Sequence, residues 1–215
     1  MPPRREKDRS DGAMIRTILF DIGNVLIRFD PRIALQKLAG NTSYSVSEMT
    51  GLLRGWPRIY DFECGRVKTA DFFDEICARL NLCGLTAEQF AETWSAIFQE
   101  EMLVNPKTLL SLKERYRLML LSNTNPLHFN FMQVRYPVLR EFDDAILSYE
   151  VGAMKPEPEI FREALARSSS RPEETAYVDD IEENVIVAGQ MGISSIRFES
   201  EEQMLREFRN RGIRV

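Results

Sequence analysis

Polar residues follow three apolar segments of the chain, at the point where each segment ends. Asp21 follows residues 15–20, Ser122 follows residues 118–121, and the pair Asp179-Asp180 follows residues 175–178. Short apolar and β-branched runs of this kind are typical of buried strands. Ligands of open α/β sheets sit beyond the carboxyl ends of the strands, so we expect these side chains to meet in one crevice.

These residue types together suit phosphoryl-group chemistry. Carboxylates held close together repel one another, a divalent cation relieves that repulsion, and all-oxygen ligation favours Mg²⁺. The Ser122 hydroxyl can donate to a phosphate oxygen, and Lys155, in a loop before a helix, offers a positive charge that offsets phosphate charge. The Asp21 carboxylate can then attack phosphorus and form an aspartyl-phosphate. Each residue alone is an ordinary turn former, helix cap or solvated lysine, so the prediction depends on their joint order.

Alternating strands and helices predict an α/β fold with a doubly wound parallel sheet. Between residues 31 and 100 the pattern is helical, with capping boxes at Ser45 and Thr86 and no expected strand. Phe90, Trp94 and Phe98 are expected on one face of a helix in this stretch. We therefore expect a disordered tail at 1–13, an α/β core formed by 14–30 and 101–215, and an α-helical cap at 31–100.

The composition argues against several classes of protein. The chain has 215 residues, a net charge of −5 and no basic stripe, which disfavours nucleic-acid binding. No apolar run approaches the roughly 18 residues of a membrane span, and the charged N-terminus does not resemble a secretory signal. Three cysteines without a CxxC pair fit a reducing compartment, so we expect a cytoplasmic protein. The single histidine, His128, is expected at a surface position of a helix, with a position near the site as the alternative because it closely follows Ser122.

Four segments resemble the motifs of the haloacid dehalogenase superfamily, most of whose members are phosphatases. They are residues 18–25 (ILFDIGNV), residues 120–124 (LLSNT), Lys155-Pro156, and residues 178–180 (VDD) with Asn184. The helical insertion after the first motif resembles the superfamily's α-helical cap. Within the superfamily the chain resembles most the bacterial α-D-glucose-1-phosphate phosphatases, which share the Asp-x-Gly-Asn-Val and Ser-Asn-Thr-Asn segments.

The resemblance implies a Mg²⁺-dependent phosphatase that acts on a small phosphorylated metabolite. Asp21 would be the nucleophile and a metal ligand. The remaining implied roles are metal binding by the Gly23 carbonyl and Asp180, with Asp179 acting through water, and phosphate binding by Ser122, Asn123 and Lys155. In the cap, Glu63 and Arg66 are candidates for substrate contacts, with an ordinary turn between helices as the alternative.

Gly23 departs from the superfamily's usual pattern, in which a second Asp protonates the leaving group and then activates water. The loss of a general acid–base typically costs about 10²–10⁴-fold in rate. Three consequences stay open. In the first, the enzyme prefers esters with good leaving groups, such as sugar 1-phosphates or acyl phosphates. In the second, another residue transfers the proton. In the third, the protein has weak catalytic activity or none.

Three other functions are compatible with the same set of acidic residues, serine and lysine. A 2-haloacid dehalogenase attacks carbon with the same aspartate and needs no metal, but an aromatic residue is expected where this chain has Gly23. A phosphometabolite-binding protein without turnover would account for the missing second Asp. A phospho-accepting receiver domain carries its acidic pair near its start, whereas Asp179-Asp180 lies near the end of this chain.

Overall fold

The computed structural model describes residues 14–215, and the expected disordered tail at 1–13 lies outside them. The strands are β1 Thr17–Phe20, β2 Ile27–Phe29, β3 Phe98–Met102, β4 Arg117–Ser122, β5 Asp144–Leu147, β6 Thr175–Asp179 and β7 Ser194–Arg197. Five of them form a parallel sheet in the order β5-β4-β1-β6-β7. The predicted α/β fold with a parallel sheet is confirmed.

The helices cover both faces of this sheet and also form the cap. They are α1 Pro31–Leu38, α2 Val46–Leu53, α3 Pro57–Glu63, α4 Thr69–Leu80, α5 Ala87–Ser95, α6 Pro106–Lys113, α7 Pro126–Arg135, α8 Ser148–Val151, α9 Pro158–Ser168, α10 Glu182–Gln190 and α11 Glu201–Asn210. The first five form an insert between β1 and β4, and none of the helices in the described part is long and apolar enough to cross a membrane.

Alternation along β1 sends its side chains into two separate cores. Ile18 and Phe20 pack with Phe129 and Phe208, from helices on one face of the sheet. Leu19 packs on the other face, in the core that holds α9 and α10. Successive strand residues point to opposite faces, so a central strand of a doubly covered sheet is buried on both faces, as β1 is along its whole length.

The cap has an apolar core of its own. Leu38, Phe62, Phe72 and Phe90 are buried there, and the rings of Phe62 and Phe72 stack with their centroids 4.1 Å apart. The two predicted capping boxes are present at Ser45 and Thr86 and begin α2 and α5. These caps satisfy backbone N–H groups that would otherwise lack a partner in the first turn.

The expectation of no strand between residues 31 and 100 was wrong. Helix α5 ends at Ser95, and Phe98 begins β3 instead of lying on the helical face with Phe90 and Trp94. Strand β3 pairs antiparallel with β2, which places Phe98 opposite Phe29. This pairing joins segments about 70 residues apart, so no local pattern of polar and apolar residues reveals it.

Candidate active site

Three carboxylates meet at the carboxyl ends of two neighbouring strands. Asp21 directly follows β1, and Asp179 and Asp180 stand at the end of β6. Strands β1 and β6 pair in parallel with Phe20 opposite Val178, so the residues that follow them are neighbours. One oxygen from each carboxylate lies within 4.8 Å of the others. The sequence-predicted convergence of these acidic residues is therefore present.

Lys155 lies between two of these carboxylates. Its Nζ is 2.7 Å from Asp21 Oδ1 and 2.7 Å from Asp179 Oδ2, and it donates to the Leu121 carbonyl at 2.9 Å. An ammonium group has three N–H donors. All three are occupied in this geometry, so Lys155 neutralises the aspartates and holds them in place.

Burial sets the titration behaviour of this cluster. It raises the pKa of Asp21 to about 7, against the pull of Lys155 and with the help of nearby Asp179. Burial alone would lower the pKa of Lys155, but Asp21 and Asp179 outweigh it and the net direction is upward. Burial and the Asp179 charge also raise the pKa of Asp180. The acidic groups thus favour a further positive charge beside them.

A network around Asp179 fixes its orientation. Its carboxylate accepts hydrogen bonds from the Tyr177 hydroxyl, the Asn184 amide at 3.1 Å and the Ile181 backbone N–H at 2.8 Å, besides Lys155. Sequence reasoning missed Tyr177. The signal was available, because residues two apart on a strand share a face, so Tyr177 lies on the same side of β6 as Asp179.

The donor set fits a divalent cation. The three carboxylates and one ammonium leave two unmatched negative charges, which one divalent ion neutralises. Asp179 is wholly buried and its oxygens are already hydrogen-bonded, whereas Asp180 is only half-buried. Carboxylate oxygens are the ligands that Mg²⁺ prefers, and it usually keeps several waters. Asp21 and Asp180 are the more accessible of the three carboxylates, which favours them for direct contact with the ion.

The segment after β4 supplies polar groups next to this cluster. The Ser122 hydroxyl makes only a long 3.5 Å hydrogen bond to the Asn123 carbonyl. The Asn123 side chain instead bonds the backbone of Lys155 twice, at 2.9 and 2.7 Å, and so ties this loop to the loop before α9. Thr124 Oγ1 is buried without a partner. Ser122 and Thr124 thus hold the uncommitted hydroxyls, and Asn123 has mainly its backbone N–H to offer.

A side chain at position 23 would meet the aromatic ring of Phe29. A Cβ added at Gly23 would lie 2.8 Å from Phe29 Cε1. The φ angle of Gly23 is not in the left-handed region, so the restriction comes from space and not from the backbone. Phe29 is held beside Phe98 by the pairing of β2 with β3, with ring centroids 6.2 Å apart.

The two cap residues singled out in the sequence lie in different surroundings. Glu63 lines a cavity of about 610 Å³ together with Gly23, Ser122 and Asn123. Burial raises the pKa of Glu63 to about 7. Arg66 is absent from the wall of that cavity and is exposed, and it pairs with Asp61 at 3.6 Å.

His128 is buried, so its expected surface position was wrong. It lies between Trp94 and Phe98, with ring centroids 6.2 and 5.2 Å away, and it lines the same cavity. Its Nε2 is 3.3 Å from the Trp94 carbonyl, and the Asn125 amide is 3.0 Å from its Nδ1. Burial lowers the pKa of His128 to about 4, so the ring is neutral at neutral pH. Packing of the cap against α7 causes this burial, and the local helical pattern cannot show it.

Known proteins resemble this chain over most of its length. The family model for haloacid dehalogenase-like hydrolases matches residues 15–192. The D-ribitol-5-phosphate phosphatase of Bacteroides thetaiotaomicron is 30% identical, over 87% of this chain and 93% of that protein.

Solved structures agree with this assignment. A HAD family enzyme from Bacteroides thetaiotaomicron, in complex with magnesium and inorganic phosphate, superimposes with a TM-score of 0.74 at 29% identity, covering 86% of this chain and 95% of that one. The L-2-haloacid dehalogenase of Xanthobacter autotrophicus gives a TM-score of 0.60 at 19% identity, over 94% and 85% of the two chains, and shares the fold. With the acidic cluster described above, these findings support Mg²⁺ as the cofactor. The chain belongs to the haloacid dehalogenase-like hydrolases and is a phosphatase of that family.

Proposed function

We propose that the protein hydrolyses the phosphate monoester of a small metabolite in two steps, through an aspartyl-phosphate on Asp21. The observation that carries this proposal is the placement of the Asp21 carboxylate, 2.7 Å from Lys155 and within 4.8 Å of Asp179 and Asp180. This arrangement keeps a nucleophilic carboxylate beside positive charge, in a site where phosphate charge needs compensation.

Each neighbouring residue takes one role in this proposal. Asp21, Asp180 and the Gly23 carbonyl would hold the metal, and Asp179 would act through a water because its own oxygens are engaged. When bound, Mg²⁺ supplies positive charge against the phosphate oxygens.

The phosphate is bound mainly by Ser122. Its hydroxyl has no strong competing partner, and the Asn123 backbone N–H joins it. Lys155 balances the charge of Asp21 and Asp179, and its ammonium group would also offset the charge of a phosphate bound beside Asp21.

The choice of ester follows from the missing acid at Gly23. Without a carboxyl group there, the reaction favours esters whose alcohol leaves readily as an anion. Sugar 1-phosphates are esters of this kind. The ribitol-5-phosphate phosphatase is a relative at 30% identity, so sugar and polyol phosphates belong in the first substrate panel. Membership in the glucose-1-phosphate phosphatase group stays a prediction.

Phosphate release from p-nitrophenyl phosphate and this panel, with and without Mg²⁺, tests the proposal. Wild-type protein is compared with Asp21→Asn and with Asp74→Asn, which makes the same chemical change at an exposed position of the cap. We expect magnesium-dependent turnover in the wild type and Asp74→Asn, and at least a thousandfold loss in Asp21→Asn. Equal residual rates in all three proteins would refute the assignment of Asp21 as the nucleophile.

A second candidate function is phosphometabolite binding without turnover. The ring of Phe29 beside Gly23 favours it, because no acid can occupy that place without a shift of the ring. Saturable binding of a sugar phosphate by a wild-type protein that releases no phosphate would support this function instead.

A further inference from the structure

The cavity between cap and core is much larger than a phosphate group. Its volume is about 610 Å³, and its wall includes Gly23 and Ser122 of the core together with residues of α1, α2, α3 and α5. One water occupies about 30 Å³ of liquid, and ligand sites for small molecules span about 300–1,000 Å³. A phosphate held at Ser122 therefore leaves room for an organic group of the size of a small metabolite.

The wall beyond the phosphate residues is mostly apolar. Its apolar members include Phe29, Leu35, Leu53, Ile59, Ile97 and Met154. The cap contributes few polar side chains to the wall: Arg54 is exposed, and the Thr50 hydroxyl already donates to the Val46 carbonyl at 2.7 Å, which leaves Glu63 as the main polar contact from the cap. A polyol moved into such surroundings gives up hydrogen bonds to water and finds few replacements, whereas a hydrocarbon group gains by leaving water.

Two residues of this wall carry buried polar atoms without a partner. Within residues 14–215, the buried side-chain polar atoms without a hydrogen-bond partner are Trp94 Nε1 and Thr124 Oγ1, and both residues line the cavity. Neither atom is accessible to solvent, so neither adds an exposed polar group to the wall. They therefore do not change the apolar character of the wall.

We propose that the substrate is the phosphate monoester of a mainly hydrocarbon alcohol, with an aryl or branched alkyl body and at most one or two polar atoms besides the phosphate. The proposal rests on the proposed function, since it places the phosphate at Ser122. An aryl ester also suits a site without a general acid at position 23, because a phenol leaves as an anion far more readily than an alkanol.

A series of 4-alkylphenyl phosphates, from methyl to butyl, tests this proposal. The leaving groups have nearly the same acidity, so the series varies only the apolar area. We expect kcat/KM to rise about threefold to fourfold per added methylene until the cavity is filled, because burying one methylene is worth about that factor. Ribitol 5-phosphate and glucose 1-phosphate should fall below the butyl compound by at least a hundredfold.

Two neighbouring leucines give a matched pair of variants. Leu52 and Leu53 are both half-buried against the cap core, but only Leu53 lines the cavity. We expect Leu53→Ser to flatten the dependence on chain length and Leu52→Ser to keep it. A wild-type dependence that is flat, or polyol phosphates that surpass the butyl compound, would overturn the proposal.

Binding of the same series to the Asp21→Asn protein, measured by calorimetry, separates this proposal from the phosphatase proposal. If no ester is hydrolysed in an Asp21-dependent way, the proposed function fails. Dissociation constants that fall with each methylene would still support an apolar ligand, and constants that do not change would refute it.

Discussion

At the level of single residues, Gly23, which lies beside the ring of Phe29, departs from the superfamily's usual pattern. Gly23 stands where a second Asp is usual, and Phe29 occupies the space that a side chain there would need. The two residues therefore depend on each other, and the loss of the acid is built into the packing of β2 and β3.

A double-mutant cycle tests this dependence. Gly23→Ala should cost about 1–2 kcal/mol of unfolding free energy in the wild type, because the new methyl group displaces the Phe29 ring. In a Phe29→Ala background the same change should cost less than about 0.5 kcal/mol. Chemical denaturation of the four proteins measures both values. Equal costs in the two backgrounds would show that the ring does not restrict Gly23.

Glu63 predicts a specific dependence of stability on pH. Burial raises its pKa from 4.5 to about 7 in the folded protein, so folding favours the protonated form. The contribution of protonated Glu63 to the free energy of unfolding is therefore fully present below about pH 4.5. It is lost as the pH rises through the folded-state pKa of about 7. Glu63→Gln keeps a neutral side chain at every pH and should avoid this loss.

The unfolding free energy of Glu63→Gln relative to wild type should rise by about 1–3 kcal/mol between pH 4.5 and 7.5. Denaturation by urea at several pH values gives this difference, and all other titrating groups cancel in the comparison. A difference that stays constant over this range would contradict the burial of the carboxyl group.

At the level of elements, the cap touches the core closely at the end of α3. Gly65 has a φ of +68°, and a Cβ added there would lie 2.0 Å from the Tyr149 carbonyl oxygen. Nearby, the Tyr60 hydroxyl donates to Glu157 at 2.6 Å across the same interface. This contact sets how closely the Glu63 segment approaches the core.

Two glycines separate backbone strain from this contact. Gly55 has a similar φ of +66° but nothing within 4 Å of an added Cβ. Both Gly55→Ala and Gly65→Ala should lose about 1 kcal/mol or more of stability from the left-handed backbone. Only Gly65→Ala should also push the cap away and lower kcat/KM at least tenfold. Equal catalytic losses in the two variants would mean that the contact does not position the cap.

At the level of the whole molecule, the unmatched charge of the site couples cation binding to folding. A ligand that binds only the folded state stabilises it by about 2.7 kcal/mol at a concentration 100 times its dissociation constant. Saturating Mg²⁺ should therefore raise the melting temperature of the wild type and of Asp74→Asn. Asp180→Asn, which removes a proposed ligand, should lose most of this gain. The same gain in Asp180→Asn would place the ion elsewhere.

Much of the site was predictable because its residues follow the ends of strands. Asp21, Ser122 and Asp179 each come directly after an apolar run, and the run marks a buried strand wherever it occurs in the chain. The parallel sheet then brings the strand ends together without further information. Lys155 was also anticipated near them, and the structure adds that its three donors are engaged.

The features that escaped prediction depend on contacts between distant segments. Strand β3 carries the polar run Gln99-Glu100-Glu101 and exists because it pairs with β2. The burial of His128 results from the docking of α5 against α7. The ring of Phe29 that obstructs Gly23 is near in sequence, but its position depends on the pairing of β2 with the distant β3.

The most direct test of the two-step mechanism is the stereochemical course at phosphorus. A substrate made chiral at phosphorus with oxygen isotopes and sulfur is hydrolysed in labelled water with Mg²⁺, and the configuration of the thiophosphate product is determined. Each in-line displacement inverts phosphorus. Attack by Asp21 followed by attack of water inverts it twice, so we predict net retention. Net inversion would show a single attack by water and would contradict the aspartyl-phosphate.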